Sequence, residues 1–274
     1  MKFPLRNGVA VITGAAGGIG GALADALAGR GCGLALIDIN REGLAEVAAR
    51  ARACSVNVSE HVYDLACASS AGELVGEVLN AHRRVTVLVN NAGVALGGSF
   101  DEVSEEEFRA LFEVNFWPVV RLTKAFLPVL REQPAAQIVN ISSVFGLIGP
   151  VGQCAYAASK FAVRGVSEVL RHELERDNSP VRLSVVHPGG VRTGILENAR
   201  KAAAITEEHT EEEGARFEKL LRLAPEKAAV QIVRGLERRQ KRILVGSDAR
   251  QLDLIQRLWP ASYWRFLRGK MKES

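Results

Sequence analysis

The sequence predicts a doubly wound α/β fold, in which one parallel sheet carries helices on both faces. Short and nearly continuous apolar runs alternate along the chain with longer helical segments. Small or polar residues recur at the point where these apolar runs end. Such runs are typical of strands buried on both faces, and helical crossovers join strands of this kind in parallel order. Since no linker or repeat interrupts the alternation, we predict one domain over residues 1–245.

In the first half of the chain, each apolar run leads through a turn into a segment with Ala, Leu and Val at helical spacing. The runs VAVIT, LALI and VTVLV are the clearest strands, and the third predicted strand has the weakest apolar pattern. The predicted order is strand 9–13, helix 19–30, strand 34–37, helix 42–52, strand 54–62, helix 71–81 and strand 85–89.

The second half continues the same alternation. Pro118 and Pro128 are expected to kink or divide its first helix, because proline lacks the amide hydrogen that an inner helical turn needs. The predicted order is helix 105–130, strand 137–141, helix 155–176, strand 181–186, helix 228–238 and strand 242–245.

Composition argues against several classes of protein. The formal net charge of the 274 residues is +4, and the basic residues are spread rather than gathered in the stripe that nucleic acid would require. The chain begins without a signal-peptide pattern and contains no apolar run of the roughly 18 residues that span a membrane. We therefore expect a cytoplasmic protein with neither a disulfide frame nor a metal site. The four cysteines lack ligand spacing: Cys32, Cys54, Cys67 and Cys154.

The glycine-rich segment TGAAGGIG at 13–20 lies between the first strand and the first helix. Glycine lets a backbone turn tightly and approach a phosphate without a Cβ in the way. The helix that starts here offers free N–H groups to a pyrophosphate. A simple tight turn would show a similar composition, but the position between strand and helix favours dinucleotide binding.

Asp38 ends the second strand, roughly 20 residues after the glycine-rich turn. An acid at this place accepts hydrogen bonds from the adenosine ribose hydroxyls of NAD and repels a 2′-phosphate. Arg41 lies nearby and could contact such a phosphate, but no basic residue stands within 15–17. The pattern therefore favours NAD over NADP.

Two further motifs are ambiguous by themselves. The segment NNAG at 90–93 follows a strand and would either pack against an adenosine or cap a turn. Tyr156 and Lys160 are four positions apart and share a helix face. A lysine beside a phenol lowers the pKa of that phenol and enables proton transfer near neutral pH. Most such pairs, however, are solvated surface residues.

Taken together, these motifs resemble the short-chain dehydrogenase/reductase family in order and spacing. The resemblance covers about residues 8–245 and implies a Rossmann fold. It is carried by 13–20, 90–93, Asn115, Ser143, Tyr156, Lys160 and 188–193.

The resemblance implies four catalytic residues. Tyr156 matches the general acid/base, and Lys160 matches the residue that lowers the tyrosine pKa and binds the nicotinamide ribose. Ser143 matches the serine that hydrogen-bonds the substrate oxygen, and Asn115 matches the asparagine that holds a water in a proton relay. Ser142 and His187 stand beside these motifs and are interpreted as structural.

The resemblance also implies a cofactor site and an assembly. Members commonly pair through the helices that match those of Asn115 and Tyr156, so a homodimer or homotetramer is expected. The residues implied for the cofactor are Gly14, Gly18, Ile19, Gly20, Asp38, Asp64, Leu65, Asn91, Ala92, Gly93, Tyr156, Lys160, Pro188, Gly189, Val191 and Thr193.

The resulting prediction is an NAD-dependent oxidoreductase that interconverts a secondary alcohol and a ketone. Its substrate is expected to be hydrophobic, because the residues predicted near the pocket are apolar. The alternatives are a catalytically silent, dinucleotide-binding regulatory protein and a membrane-surface carrier of hydrophobic ligands. The predicted pocket residues are Leu96, Phe145, Leu147, Val151 and Ile195.

Two segments depart from the strand-and-helix pattern. Residues 194–224 match the family's substrate lid and contain a run of acids, which is either a solvated face or a surface for basic substrates. Residues 246–274 form an amphipathic, helical C-terminal extension that is basic and rich in aromatic residues. It would pack on the core, on a partner subunit or on a membrane surface. The acids are Glu207, Glu208, Glu211, Glu212 and Glu213.

Overall fold

A computed structural model describes residues 2–67, 70–194, 200–201 and 221–272, and its centre is a parallel sheet of seven strands. The expected lid acids and Ile195 lie outside the described residues. The seven strands are β1 (Val9–Thr13), β2 (Gly33–Asp38), β3 (Val58–Val62), β4 (Val87–Asn90), β6 (Ala136–Ile141), β7 (Val181–Pro188) and β9 (Arg242–Val245). Two short segments, β5 (Leu96–Gly97) and β8 (Arg200–Lys201), pair with each other in a separate parallel ladder.

Helices connect the strands and cover the sheet. They are α1 (Gly18–Ala28), α2 (Arg41–Arg52), α3 (Ser70–His82), α4 (Glu105–Asn115), α5 (Trp117–Arg131), α6 (Cys154–Arg176), α7 (Pro225–Glu237), α8 (Ser247–Leu258) and α9 (Trp264–Lys272). A single 3-10 turn, Val144–Gly146, precedes α6.

The strand order β3-β2-β1-β4-β6-β7-β9 reverses direction between β1 and β4. In open α/β sheets the connections on either side of such a reversal diverge, and a crevice opens beyond the carboxyl ends of the strands. The turn after β1 and the segment after β4 therefore face each other at the place where a ligand is expected.

The side chains of successive strand residues pack into two hydrophobic cores, one on each face of the sheet. Ala10 and Ile12 belong to the cluster under α1, α2 and α7, whereas Val11 belongs to the cluster under α3 and α5. This arrangement explains the nearly continuous apolar runs, because the strand residues that point to either face of the sheet are buried. The doubly wound α/β fold predicted from sequence is confirmed.

A third cluster lies beyond the sheet edge and contains Tyr156. Apolar residues of β5, α4 and α6 meet there with Ala249 of α8 and Leu267 of α9. The C-terminal extension is therefore helical, as predicted, and its inner side packs on the body of this chain. Among the described residues, every helix is too short or too polar to span a bilayer.

The segment predicted as one helix over 105–130 is two helices that meet at Phe116. Ser104 starts α4 with a reciprocal capping box with Glu107, and Pro118 stands in the first turn of α5, where a missing amide hydrogen is tolerated. The prediction of a break at Pro118 is confirmed. Pro128 lies inside α5 and does not end it.

Candidate active site

The glycine-rich turn after β1 forms one wall of the crevice. Gly14 and Gly18 have φ values of +63° and +55°, which lie in a region of backbone conformation that residues with a Cβ rarely adopt. A Cβ on Gly20 would lie 2.0 Å from the carbonyl oxygen of Gly14, so only glycine fits there. Gly17 begins α1 without a capping hydrogen bond from a side chain in the described part of the chain. The amide groups of the first turn are thus oriented for an anion such as a pyrophosphate.

The segment after β4 holds this turn in place. The Asn91 Nδ2 group donates to the carbonyl oxygens of Thr13 at 2.9 Å and of Gly14 at 3.1 Å. The Thr13 hydroxyl accepts in return from the amides of Asn91 and Ala92. The motif at 90–93, which was ambiguous from sequence, therefore supports the glycine-rich turn from the neighbouring strand. The Asn91 side chain does so by binding the backbone of that turn.

Asp38 stands at the carboxyl end of β2, directly against the glycine-rich turn. Its Oδ2 accepts from the Ala16 amide at 2.9 Å, and its Oδ1 accepts from the Asn40 amide at 3.0 Å. A half-buried carboxylate beside the turn fits the hydroxyls of an adenosine ribose. Asp64 and Leu65 follow the edge strand β3, and Asp64 caps its own loop by accepting from the Ala66 amide.

The loop after β7 closes the other end of the crevice. Thr193 approaches the glycine-rich turn so closely that a Cβ on Gly18 would lie 3.2 Å from the Thr193 Cβ. Pro188 ends β7, Gly189 donates its amide to the Val245 carbonyl at 2.9 Å, and Val191 is buried. The segments expected to hold the two ends of a dinucleotide thus border one crevice.

Asp248 supports this loop, and the sequence analysis did not identify it. Its Oδ2 accepts from the Gly190 amide at 2.7 Å. A Cβ on Gly189 or Gly246 would lie 2.0 or 2.3 Å from the Asp248 carboxylate, so these glycines make room for it. One signal was available, since Asp248 follows a strand end, as Asp38 and Asp64 do.

The catalytic candidates meet at the third cluster. Tyr156 is buried, and its phenol is hydrogen-bonded to the hydroxyl of Ser143. The Ser143 Oγ also accepts from the Phe145 amide at 3.1 Å, and the Phe145 ring stands edge-on to the Tyr156 ring with centroids 6.2 Å apart. Turn, strand end and helix therefore converge on one phenolic hydroxyl.

Lys160 lies beneath the tyrosine, one helical turn further along α6. Its Nζ is 5.6 Å from the centroid of the Tyr156 ring and donates to the Ile141 carbonyl at 3.3 Å. A Cβ on Gly93 would lie 3.3 Å from this Nζ and 3.1 Å from the Asn115 Oδ1. The absence of a side chain at Gly93 thus lets both Lys160 and Asn115 approach the backbone of this segment.

The Asn115 side chain is fully engaged with backbone and neighbours. Its Oδ1 accepts from the Val94 amide at 2.8 Å, and its Nδ2 donates to the Val94 carbonyl at 2.9 Å and to the Ser159 hydroxyl at 3.2 Å. These contacts hold the end of α4 against the segment after β4. The side chain therefore fixes local geometry at the point where the two helices meet.

Burial controls the protonation of the pair. It raises the pKa of Tyr156 to about 12, and the hydrogen bond from Ser143 offsets this only in part. Burial likewise lowers the pKa of Lys160 to about 8. The expectation that Lys160 brings the tyrosine pKa below its ordinary value is therefore wrong for the protein alone, because loss of hydration on burial is the largest influence on that pKa.

Two neighbouring side chains act as supports, as interpreted from sequence. The Ser142 hydroxyl donates to the Lys160 carbonyl at 2.9 Å. The His187 Nδ1 donates to the Ser143 carbonyl at 2.9 Å, and burial lowers the pKa of His187 to about 4. His187 is thus neutral near pH 7 and holds the backbone of Ser143.

The apolar residues expected to line the substrate pocket differ in how deeply the structure buries them. Leu96 and Phe145 are buried in the cluster that contains Tyr156, and Leu147 is buried as well. Val151 is 73% exposed, so its expected place in an apolar pocket wall is wrong for the protein alone. It lies in the loop between the 3-10 turn and α6, which faces solvent.

Comparison with known proteins agrees with this geometry. Residues 8–204 match the family model described as "short chain dehydrogenase". The chain is 40% identical over 260 residues to the putative oxidoreductase SadH of Mycobacterium tuberculosis, covering 94% of this chain and 93% of SadH. It is 34% identical over 202 residues to the 3-oxoacyl-[acyl-carrier-protein] reductase FabG of Thermotoga maritima, covering 74% of this chain and 81% of FabG.

Solved structures show the same likeness in three dimensions. A short-chain dehydrogenase/reductase from Burkholderia phymatum, crystallised in complex with NAD, superimposes with a TM-score of 0.86 at 30% identity. The superposition covers 94% of this chain and 95% of that one. The likeness thus extends over nearly the whole length of both chains.

Proposed function

Because the chain belongs to the short-chain dehydrogenase/reductase family of oxidoreductases, we propose that it interconverts a secondary alcohol and a ketone with NAD. The observation that carries this proposal is the buried group of Ser143, Tyr156 and Lys160 at the carboxyl edge of the sheet. Residues 1–245 would then bind the cofactor and carry out catalysis, and residues 246–274 would form an extension.

In the proposed mechanism, Tyr156 transfers the proton. Its phenol is protonated near pH 7, since its pKa is about 12, and it can therefore donate to the oxygen of a bound ketone. The Ser143 hydroxyl steadies the same oxygen as charge develops on it. The Lys160 ammonium stabilises the phenolate that remains. When bound, the nicotinamide supplies the hydride in reduction and accepts it in oxidation.

The preference for NAD is proposed from Asp38. Its carboxylate stands beside the glycine-rich turn and would accept from ribose hydroxyls, whereas the 2′-phosphate of NADP would meet a negative charge. The NAD in the Burkholderia phymatum structure supports the same choice. We expect the dissociation constant for NADH to be at least about tenfold lower than that for NADPH, measured by fluorescence titration. The reverse order would contradict the role of Asp38.

A hydrophobic ketone is the proposed substrate class. The phenol of Tyr156 faces a cluster of buried apolar side chains that includes Leu96 and Phe145. A β-keto acyl chain, as the name of the FabG relative indicates for that protein, would suit such surroundings. A screen of aliphatic secondary alcohols and ketones, followed by NADH absorbance, would define the class and the favoured direction.

The proposal is tested by Tyr156→Phe, which removes only the phenolic oxygen. We expect turnover to fall by at least about a thousandfold, since both proton transfer and contact with the substrate oxygen are lost. NADH binding should persist. Tyr63→Phe is the matched control, because Tyr63 donates to Glu77 on the far edge of the sheet. Near-normal turnover of Tyr156→Phe would exclude the phenol, and a wild-type protein that binds NADH without any hydride transfer would favour the silent regulator.

A further inference from the structure

The outer side of the C-terminal extension carries an exposed apolar surface, which we call the tail patch. It consists of Leu254, Leu258, Trp259 and Phe266, whose exposed fractions lie between 43% and 58%. Leu254 and Leu258 share one face of α8, one helical turn apart. The rings of Trp259 and Phe266 contact each other at a tilt of 41°, with centroids 4.7 Å apart, and join the end of α8 to α9. The exposed apolar side chains of α8 are therefore linked to α9 by this ring contact.

The tail patch is not needed to pack the extension on the rest of this chain, because the inner sides of the same helices already make that contact. Ala249 and Leu267 are buried in the cluster around Tyr156. The Tyr263 hydroxyl accepts from the Gly149 amide at 2.9 Å and anchors the turn between the two helices. The extension is thus attached by one side and presents the other to solvent.

The exposed charged side chains that the structure describes on α8 and α9 are basic. They are Arg250, Arg257, Arg265 and Arg268, of which Arg257 also lies 3.8 Å from the Asp253 carboxylate. Beyond them the sequence adds Lys270, Lys272 and Glu273. The acidic side chains that the structure describes on α8 point inward. Asp248 accepts from the Gly190 amide, and buried Asp253 is paired with Arg242. The exposed surface is therefore apolar at its centre and basic at its rim.

We propose that the tail patch docks this protein on an anionic lipid surface. Tryptophan and phenylalanine insert at the boundary between headgroups and acyl chains, while a rim of arginines is attracted to anionic headgroups. Contact between two tail patches is disfavoured, because it would bring the two basic rims together. The anionic bilayer is the partner that satisfies both the charge and the apolar surface.

The test is co-sedimentation of the full chain with phosphatidylcholine vesicles, prepared with and without phosphatidylserine, at low salt. We expect binding only when phosphatidylserine is present, and release as added salt screens the attraction. Arg250→Glu/Arg265→Glu/Arg268→Glu should weaken the partition by at least about tenfold. Arg6→Glu/Arg234→Glu/Arg238→Glu makes the same change of charge at exposed positions elsewhere, and it should retain most of the binding.

The apolar contribution is tested by Trp259→Ser/Phe266→Ser. This variant should lose binding at least about tenfold while its far-UV circular dichroism and NADH affinity stay unchanged. Failure of the folded wild type to bind anionic vesicles would overturn the proposal. Equal binding to vesicles without phosphatidylserine would overturn the role of the basic rim. If the Trp259→Ser/Phe266→Ser variant formed a smaller oligomer than the wild type, a second copy of this chain would be the occupant of the tail patch instead.

Discussion

At the scale of single residues, burial sets the chemical state of the candidate catalytic pair. Desolvation favours the neutral form of each group, so it raises the pKa of Tyr156 to about 12 and lowers that of Lys160 to about 8. Near pH 7 both groups still carry their protons. The phenol is therefore ready to donate, and the ammonium is ready to stabilise the anion that donation leaves.

The shifted pKa of Lys160 predicts how stability depends on pH. Below about pH 8 the lysine is charged in both states, and the folded state bears the whole cost of burying that charge. Between about pH 8 and 10.5 the folded protein loses the proton first. The unfolded state then binds more protons, so the free energy of unfolding rises with pH in this window. Above that window Tyr156 acts in the opposite sense, because its raised pKa lets the unfolded state ionise first.

We therefore expect the free energy of unfolding of the wild type to rise relative to Lys160→Met by on the order of 3 kcal/mol across this window. Denaturant unfolding at a series of pH values measures it. Lys124→Met is the control, since Lys124 is exposed on α5 and its replacement should leave the wild-type pH profile unchanged. Parallel profiles for wild type and Lys160→Met would contradict a buried ammonium.

At the scale of elements, the C-terminal extension supports the loop that borders the cofactor crevice. The amide of Gly190 donates to Asp248 at the start of α8, and Gly189 has no side chain to block that approach. The loop at 188–193 and the extension are thus joined, although residues 194–245 separate them in sequence. This contact connects a segment beyond the last strand to the loop that borders the crevice.

Asp248→Ala should loosen this loop. Removal of the carboxylate leaves the Gly190 amide without that acceptor, at a cost of about 1–3 kcal/mol in stability. We expect the KM for NADH to rise by at least about tenfold, with a smaller fall in kcat, in steady-state assays. Ser247→Ala, the neighbouring exposed residue on α8, serves as the control and should change neither constant. Equal cofactor KM values for the two variants would show that Asp248 serves stability alone.

At the scale of the whole molecule, a second exposed apolar surface lies on α5 and α6. It includes Trp117, Phe161 and Val169, which are between 40% and 58% exposed. Gly165 lies between the last two residues on the same face of α6, with open space around it, so another backbone could approach closely. Members of this family typically assemble, and these helices contain or adjoin the candidate catalytic residues.

Phe161→Glu should therefore reduce the oligomer mass measured by sedimentation velocity, because it would bury a charge in the proposed interface. Val62→Glu introduces the same charge at an exposed apolar residue on the edge strand β3 and should leave the mass unchanged. An unchanged mass for folded Phe161→Glu would place the subunit interface elsewhere.

Much of this molecule followed from spacing along the chain. Apolar periodicity predicted the alternation of strands and helices, and the positions of Gly14, Asp38 and Tyr156 predicted a crevice at the strand ends. The predictions that failed depend on neighbours distant in sequence. The raised pKa of Tyr156 reflects burial by remote segments, and the exposure of Val151 reflects the course of a surface loop.

The order of the motifs was sufficient to predict the fold, to identify the family and to select the residues to test. The reason is that strand periodicity and glycine conformation are local properties of the chain. The protonation of Tyr156 and Lys160, the support of Gly190 by Asp248 and the outward side of the extension required the tertiary structure. Hydration is lost only when remote segments close over a group. The pKa of a buried side chain and the direction in which an amphipathic helix faces are therefore set by packing.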